Sequence, residues 1–336
     1  MKVLVTGGAG FVGQYLARRL VGAGHQVAAL DLLRPQVHAD PGAAVSSFPG
    51  DVVVGDAADE ATWVSLPAPH VVVHLAAETG ASRTLDGQDR AHRVNVGGTS
   101  LAGRFAAQWG VPLVALSSRS VYGHGRHHCE DHGLGADEPC CPKAVPLASS
   151  EDDPHRPVCV EGETRSLGER RLAHPARAVP ITVVRPQNVI GPGQSVPRGV
   201  LATWLTALRA GEPLRVHGHG GRTRDLVHVD DVARLVAWAV EHPAPVGEPR
   251  VVNAGTGVRT TLLELARLAL AARPASYAPV PAEVTHAEVR HDGDVDHACA
   301  DLARLRALGA PAPSWTTADA VADQVRAAWA GAPVRT

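Results

Sequence analysis

Lysine is nearly missing from this chain: among 336 residues it occurs only as Lys2 and Lys143. Tyrosine is almost as scarce, at Tyr15, Tyr122 and Tyr277, and none of the three has a lysine four residues later. With alanine, glycine and proline abundant, the arginine-for-lysine pattern reads as a bias of coding composition rather than selection at each site. Such a bias can place Arg where Lys would otherwise stand. It cannot turn Tyr into Glu. No apolar run reaches the ~20 residues needed to cross a bilayer, so no membrane partner is expected. A formal net charge of -2 lacks the basic excess of a nucleic-acid binder. The cysteines are Cys129, Cys140, Cys141, Cys159 and Cys299. An odd number, behind a start (MKVLVTGGAG) that reads as a strand and a glycine turn rather than a secretion signal, predicts reduced thiols and a cytoplasmic location.

What is present is a βαβ rhythm. Lys2 to Val5, Val27 to Leu30, Val52 to Val54, Val71 to Leu75, Leu113 to Leu116 and Thr182 to Arg185 are short apolar runs that read as buried strands. Helix-like segments separate them, over Gly13 to Gly22, about Val94 to Trp109 and about Thr164 to His174. The alternation predicts an α/β fold, a Rossmann-type doubly wound parallel sheet. We expect a dinucleotide-binding domain over residues 1–185 and a smaller C-terminal α/β lobe over 186–336. Helices of that lobe are expected at about 198–210, 230–241, 260–272 and 318–329. Residues 123–160, rich in His, Cys, Pro and acids, break the rhythm and are expected to form an irregular insertion that serves as a lid or substrate loop.

Gly7-Gly8-Ala9-Gly10-Phe11-Val12-Gly13 lies between the first strand and the first helix. Glycines there permit a tight turn and close approach of backbone to a pyrophosphate, and the helix N-terminus supplies N–H groups and a positive dipole. Asp31 ends the second strand, where a carboxylate accepts both ribose hydroxyls and repels a 2′-phosphate. The expected cofactor is therefore NAD, although Arg34 nearby would suit NADP. Asp56 ends the third strand and is placed at the adenine amine.

Several further segments carry a resemblance: TGGAGFVG, GDAADE (55–60), HLAAE (74–78), RVNVGGT (93–99), SSRSVYG (117–123), RPQNVIGPGQ (185–194) and RDLVHVDDV (224–232). Together they resemble the extended short-chain dehydrogenases/reductases, the nucleotide-sugar epimerases and dehydratases. DLLRPQVH (31–38), YGHGRHHCEDHG (122–133), the Cys140-Cys141 segment and PLASSEDDPHRP (146–157) resemble the dTDP-L-rhamnose 4-epimerase-like branch. The resemblance implies a nucleotide-sugar substrate and a homodimer built on helices near 95–109 and 162–174. It implies cofactor contacts from Gly7, Gly10, Phe11, Val12, Gly13, Asp31, Asp56, Ala57, Leu75, Ala76, Ala77, Asn95 and Arg165. It implies substrate contacts from Glu78, Arg119, Asn188, Arg224 and Arg290. In such enzymes a Tyr-x-x-x-Lys pair and a Ser serve the hydroxyl that is oxidised. Ser118 matches the Ser. Arg119-Ser120 stands where the 4,6-dehydratases carry Asp-Glu, which argues against water elimination.

The Tyr-x-x-x-Lys place reads Glu161-x-x-x-Arg165. A carboxylate beside a guanidinium stays ionised and can act as a base; Arg holds its proton at any ordinary pH. A helical i, i+4 Glu–Arg pair is also an ordinary structural ion pair. Three readings remain open. In the first Glu161 stands in for Tyr in a transient-oxidation epimerase; in the second it removes a proton beside a carbonyl already on the substrate; in the third NAD is held without redox chemistry. Ser118, Glu161 and Arg165 are the catalytic candidates, with His155 and Cys159 near Glu161 in sequence as substitutes. In the insertion Cys129-x-x-His132 followed by Cys140-Cys141 resembles a zinc set. Adjacent cysteines suit a tetrahedral ion less well than Cys-x-x-Cys, so a solvated loop with reduced thiols and no metal is expected.

Overall fold

Short β-branched runs form the centre of the fold, as the rhythm predicts. The computed structural model describes residues 1–38, 40–79, 84–136, 140–194, 199–218, 220–274, 284–287 and 294–330. In chain order the first strands are β1 (Lys2–Thr6), β2 (Gln26–Asp31), β3 (Asp51–Val54), β4 (Val71–His74) and β5 (Leu113–Leu116). After the insertion strands β6 (Arg126–Cys129), β7 (Gly133–Ala136) and β8 (Val145–Pro146) come β9 (Ile181–Pro186), β10 (Asn188–Ile190), β11 (Leu214–His217), β12 (Thr223–Arg224), β13 (Leu226–His228), β14 (Arg250–Ala254), β15 (Thr260–Thr261) and β16 (Val284–Ala287). The helices are α1 (Phe11–Gly22), α2 (Pro41–Ser46), α3 (Glu60–Val64), α4 (Leu85–Ala91), α5 (Thr99–Trp109), α6 (Val160–Arg171), α7 (Val200–Ala210), α8 (Val229–Glu241), α9 (Leu262–Ala271), α10 (Ala303–Ala307) and α11 (Thr317–Ala330). A π-helical turn, His92–Gly98, leads into α5.

Seven parallel strands form one sheet in the order β14-β9-β5-β4-β1-β2-β3. The order reverses between β1 and β4, and in such sheets ligands bind beyond the carboxyl ends of the strands at that point. Successive residues of a strand face opposite sides. Val3 and Val5 pack with Leu16, Leu20, Val232 and Val236 on one face. Leu4 packs with Val72, Trp63 and Phe105 on the other. Trp63 is fully buried and stacks on Phe105 at 5.6 Å; burial of such a side chain contributes on the order of 1.5–3 kcal/mol.

A second core gathers Leu201, Trp204, Leu205, Leu265, Val321 and Trp329 from α7, α9 and α11. All six belong to the segment after residue 185. The chain does not stay there: β14 is the sheet's seventh strand, and α8 packs on α1 beneath the sheet. Part of the segment expected in the C-terminal lobe therefore completes the dinucleotide-binding unit. One expectation for 123–160 also changes. The stretch holds an antiparallel sheet in the order β7-β6-β8 rather than an irregular loop. Its Cys129, His132, Cys140 and Cys141 lie together. Among the described residues no helix is long and apolar enough to cross a membrane.

Candidate active site

The turn after β1 is built from bare backbone. Gly7 has φ 67, and a Cβ on it would lie 2.8 Å from the backbone of Ala76. A Cβ on Gly13 would lie 2.3 Å from the Gly8 carbonyl oxygen. Gly10 is the N-cap of α1, and no side chain caps that helix, so its first N–H groups are not met by a capping side chain. Phe11 sits edge-on to Tyr15 at 6.1 Å, and Val12 packs against the core below. The strap after β4 closes the cradle: the Leu75 N–H donates to the Thr6 carbonyl (3.0 Å) and the Ala76 N–H to Thr6 Oγ1 (3.3 Å). Ala77 continues it.

Asp31 stands over this loop. Its carboxylate accepts from the N–H groups of Ala9 (3.1 Å) and Leu33 (2.9 Å), and His38 Nε2 lies 3.3 Å away. Arg34 pairs with Glu78 at 2.6 Å, so the one cation suited to a 2′-phosphate is already engaged. Asp56 accepts from the Ala58 N–H (2.8 Å) and pairs with Arg93 (2.6 Å). Ala57 is buried, its carbonyl bonded to Trp63 Nε1 at 2.9 Å. The uncapped helix, the glycine cradle and the carboxylate fit the pyrophosphate and adenosine ribose of NAD. His38 beside Asp31 is a residue that sequence reasoning left unassigned; nothing in its spacing marks it.

The reacting end is assembled by two elements packed backbone to backbone. Ser118 caps the 3₁₀ turn Arg119–Tyr122, its Oγ accepting from the Ser120 N–H (3.2 Å) and the Ser120 hydroxyl (2.8 Å). The first turn of α6 lies against it so closely that a Cβ on Gly162 would sit 2.3 Å from the Ser120 carbonyl oxygen. This places half-buried Glu161 beside the Ser118–Arg119 turn. Arg165, one helical turn on, is buried; it donates to the Leu116 carbonyl at 2.8 Å, and its Nε has no partner among the described residues. Burial lowers the pKa of both Arg119 and Arg165, and Glu161 opposes the shift in each. Both guanidinium groups therefore reach Glu161 electrostatically. Asn95 fixes α6 from behind: its amide donates to Thr164 Oγ1 (3.0 Å) and to the Glu78 carbonyl (3.0 Å), and accepts from the Glu78 N–H (2.9 Å).

Tyr122, Tyr15 and His155 are each engaged by other partners. The Tyr122 hydroxyl donates to Asn253 Oδ1 (2.7 Å) and accepts from Arg185 (2.8 Å). Burial raises its pKa, and Arg185 only partly offsets this. Tyr15 donates to the Pro192 carbonyl, and Tyr277 lies outside the described residues. His155 accepts from Arg185 at Nε2 (2.6 Å), which leaves Nδ1 to donate to Ser166 (2.8 Å). Burial lowers its pKa, so it is a neutral member of a buried network that also holds Glu169 and Ser117. Proximity in sequence suggested His155 as an acid/base group; its two bonds place it in that network instead. Cys159 is the N-cap of α6 and lies within electrostatic reach of Arg119.

A cationic patch that follows β11 lies within electrostatic reach of Arg119. Burial, and next Arg119, bring the Arg224 pKa down to about 10, still charged at neutral pH. Arg222 lies beside it and pairs with Asp294 and Asp296, both at 3.1 Å. Asn188 opens β10, whose register partner is β13, one residue past Arg224-Asp225. Its Oδ1 is buried with no partner among the described residues. Arg119 and Arg224 thus lie within electrostatic reach of each other, and the Asn188 N–H donates to the Asp225 carbonyl at 3.0 Å. Glu78 is placed otherwise: its carboxylate is taken by Arg34 and Arg90. Arg290, also a substrate candidate, lies outside the described residues.

A doubly wound sheet with a dinucleotide cradle and a second lobe facing it defines a class of nucleotide-dependent enzyme. The sequence model of the NAD dependent epimerase/dehydratase family matches residues 3–145 and 163–255, and the chain belongs to this family. The two matched stretches leave out 146–162, which contain Glu161. The chain is 32% identical to a dTDP-L-rhamnose 4-epimerase from Burkholderia thailandensis, over 94% of this chain and 91% of that protein. It is 34% identical to a UDP-glucose 4-epimerase from Mycolicibacterium smegmatis, over 79% and 80%. Among solved structures, MoeE5 in complex with UDP-glucuronic acid and NAD superposes with a TM-score of 0.76 at 27% identity, covering 97% of this chain and 98% of that one. The cofactor is NAD.

Proposed function

We propose that the protein is an NAD-dependent epimerase of a nucleotide-activated hexose, with Glu161 as the base that tyrosine provides elsewhere in the family. The observation that supports this is the close packing of Gly162 on Ser120, which holds α6 against the Ser118-capped turn, with Glu161 in electrostatic reach of Arg119 and Arg165. When bound, NAD supplies a hydride acceptor for the sugar carbon and then the same hydride back. Glu161 takes the hydroxyl proton as the ketone forms and returns it after the sugar has turned its other face. Ser118 bonds the reacting oxygen throughout. The field of Glu161 favours the charged form of buried Arg165, whose unpartnered Nε would suit the nicotinamide ribose. Arg119 and Arg224 suit the two charges of a diphosphate, which guanidinium groups bind with paired N–H donors. Asn188 Oδ1 offers an acceptor to the sugar nucleotide. The relatives with matched length include 4-epimerases of dTDP- and UDP-sugars, which supports the reaction class. A homodimer through α5 and α6 belongs to the same reading.

Glu161→Gln keeps the size of the side chain and removes the base. The expected result is turnover reduced about 10²–10⁴-fold with NAD affinity unchanged. Full activity in this variant would remove Glu161 from the mechanism.

A further inference from the structure

The insertion that separates β5 from α6 brings four metal-binding side chains to one point. Cys129 ends β6, His132 closes the turn to β7, and Cys140 and Cys141 precede β8. One ligand atom from each lies within 4.8 Å of all the others. Four edges are resolved: Cys129 Sγ to His132 Nδ1 3.3 Å, Cys140 Sγ to the same nitrogen 3.6 Å, Cys129 Sγ to Cys141 Sγ 3.5 Å, and Cys140 Sγ to Cys141 Sγ 4.0 Å. A tetrahedral zinc with ordinary Zn–S and Zn–N bonds requires edges of about 3.8 Å between sulfurs and about 3.6 Å from sulfur to nitrogen. The sulfur separations are far from the ~2.05 Å of a disulfide.

The local backbone explains how residues this close in sequence converge. The Cys129–His132 segment is a tight turn, with the His132 N–H donating to the Cys129 carbonyl at 3.3 Å. The N–H groups of Asp131 and His132 also point to the Cys129 sulfur, the kind of outer bond that stabilises a coordinated thiolate. Gly133, at φ 77, then reverses the chain into β7. Adjacent cysteines in an extended strand would point to opposite sides. Cys140 and Cys141 instead sit in a bend before a turn closed by the Ala144 N–H on the Cys141 carbonyl (3.0 Å), so both thiols face one way.

We propose that Cys129, His132, Cys140 and Cys141 bind one structural zinc ion. Three thiolates and an imidazole are the soft donor set that zinc takes, and four protein ligands leave no open position for chemistry. The ion ties the β6–β7 hairpin to the strand that returns as β8. That small sheet is in turn anchored at the substrate edge: Arg126 pairs with Asp153 (2.8 Å), Arg259 donates to the Pro146 carbonyl (2.9 Å), and the Ser149 N–H donates to the Cys299 carbonyl (2.8 Å). The site stands apart from Glu161 and does not depend on the reaction assigned above.

The test is elemental analysis of the untagged full chain after dialysis, with thiols counted on the denatured protein. One zinc per chain and five reduced thiols are expected, with zinc lost in Cys140→Ser/Cys141→Ser and retained in Cys159→Ser. Should the double variant fail to fold, cobalt added to zinc-stripped wild-type protein decides. Intense d–d bands with thiolate-to-cobalt charge transfer support tetrahedral sulfur coordination; a pale octahedral spectrum overturns it. Zinc retained by the double variant, no zinc in the wild type, or a Cys129–Cys141 disulfide in the untreated protein would each overturn the proposal.

Discussion

At the scale of single residues, the chemistry turns on which side chain can move a proton. Tyr122 is the nearest tyrosine to the site in sequence, yet its hydroxyl is committed to Asn253 and Arg185 inside the protein. Glu161 is half-buried and within electrostatic reach of two guanidinium groups, those of Arg119 and Arg165. Tyr122→Phe should therefore leave turnover nearly unchanged. It should lower stability by about 1–3 kcal/mol, the cost of stranding a buried donor and acceptor. Denaturant unfolding and steady-state assays on the same preparation check both halves. A variant that folds as well as wild type but has lost activity would make Tyr122 the base.

At the scale of elements, much could be read from sequence and some could not. The strands and helices around the glycine turn announced themselves through period and punctuation, because parallel central strands need unbroken apolar runs and α1 needs Gly10 before it. Asp31 was legible for the same reason: a strand end leaves its side chain over the next loop. The approach of α6 to the Ser118 turn was not legible, since Gly162 looks like any helical glycine until its missing Cβ is found against Ser120. The ion pairs of Glu78 were not legible, because its partners Arg34 and Arg90 are 44 and 12 residues away in sequence. In the insertion, the broken rhythm suggested an irregular lid or substrate loop. Four strand residues on each side of a tight turn were enough to form a hairpin, and a bend at Cys140-Cys141 overcame the objection from their adjacency. The return of β14 to the sheet could not be inferred from local pattern, as pairing across more than sixty residues leaves no local mark.

At the scale of the whole molecule, acid is the weakness of this design. His74 is completely enclosed by Thr6, Thr99 and the field of Arg165. Burial first, and Arg165 second, depress its pKa to about 3 from an ordinary 6.5. Between those values the unfolded chain binds a proton at this residue that the folded chain refuses. Stability is therefore full above pH 6.5 and is lost as pH falls below it, by up to about 1.4 kcal/mol per pH unit from this residue. Burial lowers His127, His155, His228 and His297 as well, which act in the same direction. Urea unfolding at pH 7 and pH 5 should show the loss, and His74→Asn should make it less steep. An identical slope in the variant would contradict this assignment.

The proposed passage of hydrogen from a sugar to the cofactor and back can be followed directly. Nucleotide hexoses with dTDP, UDP and GDP are incubated with the protein and NAD in D2O and observed by proton NMR. The account predicts an epimer whose inverted carbon carries no solvent deuterium, because the hydride leaves and returns without meeting water. An epimer labelled with deuterium at that carbon would contradict it and make Glu161 a base that removes a carbon-bound proton beside a carbonyl.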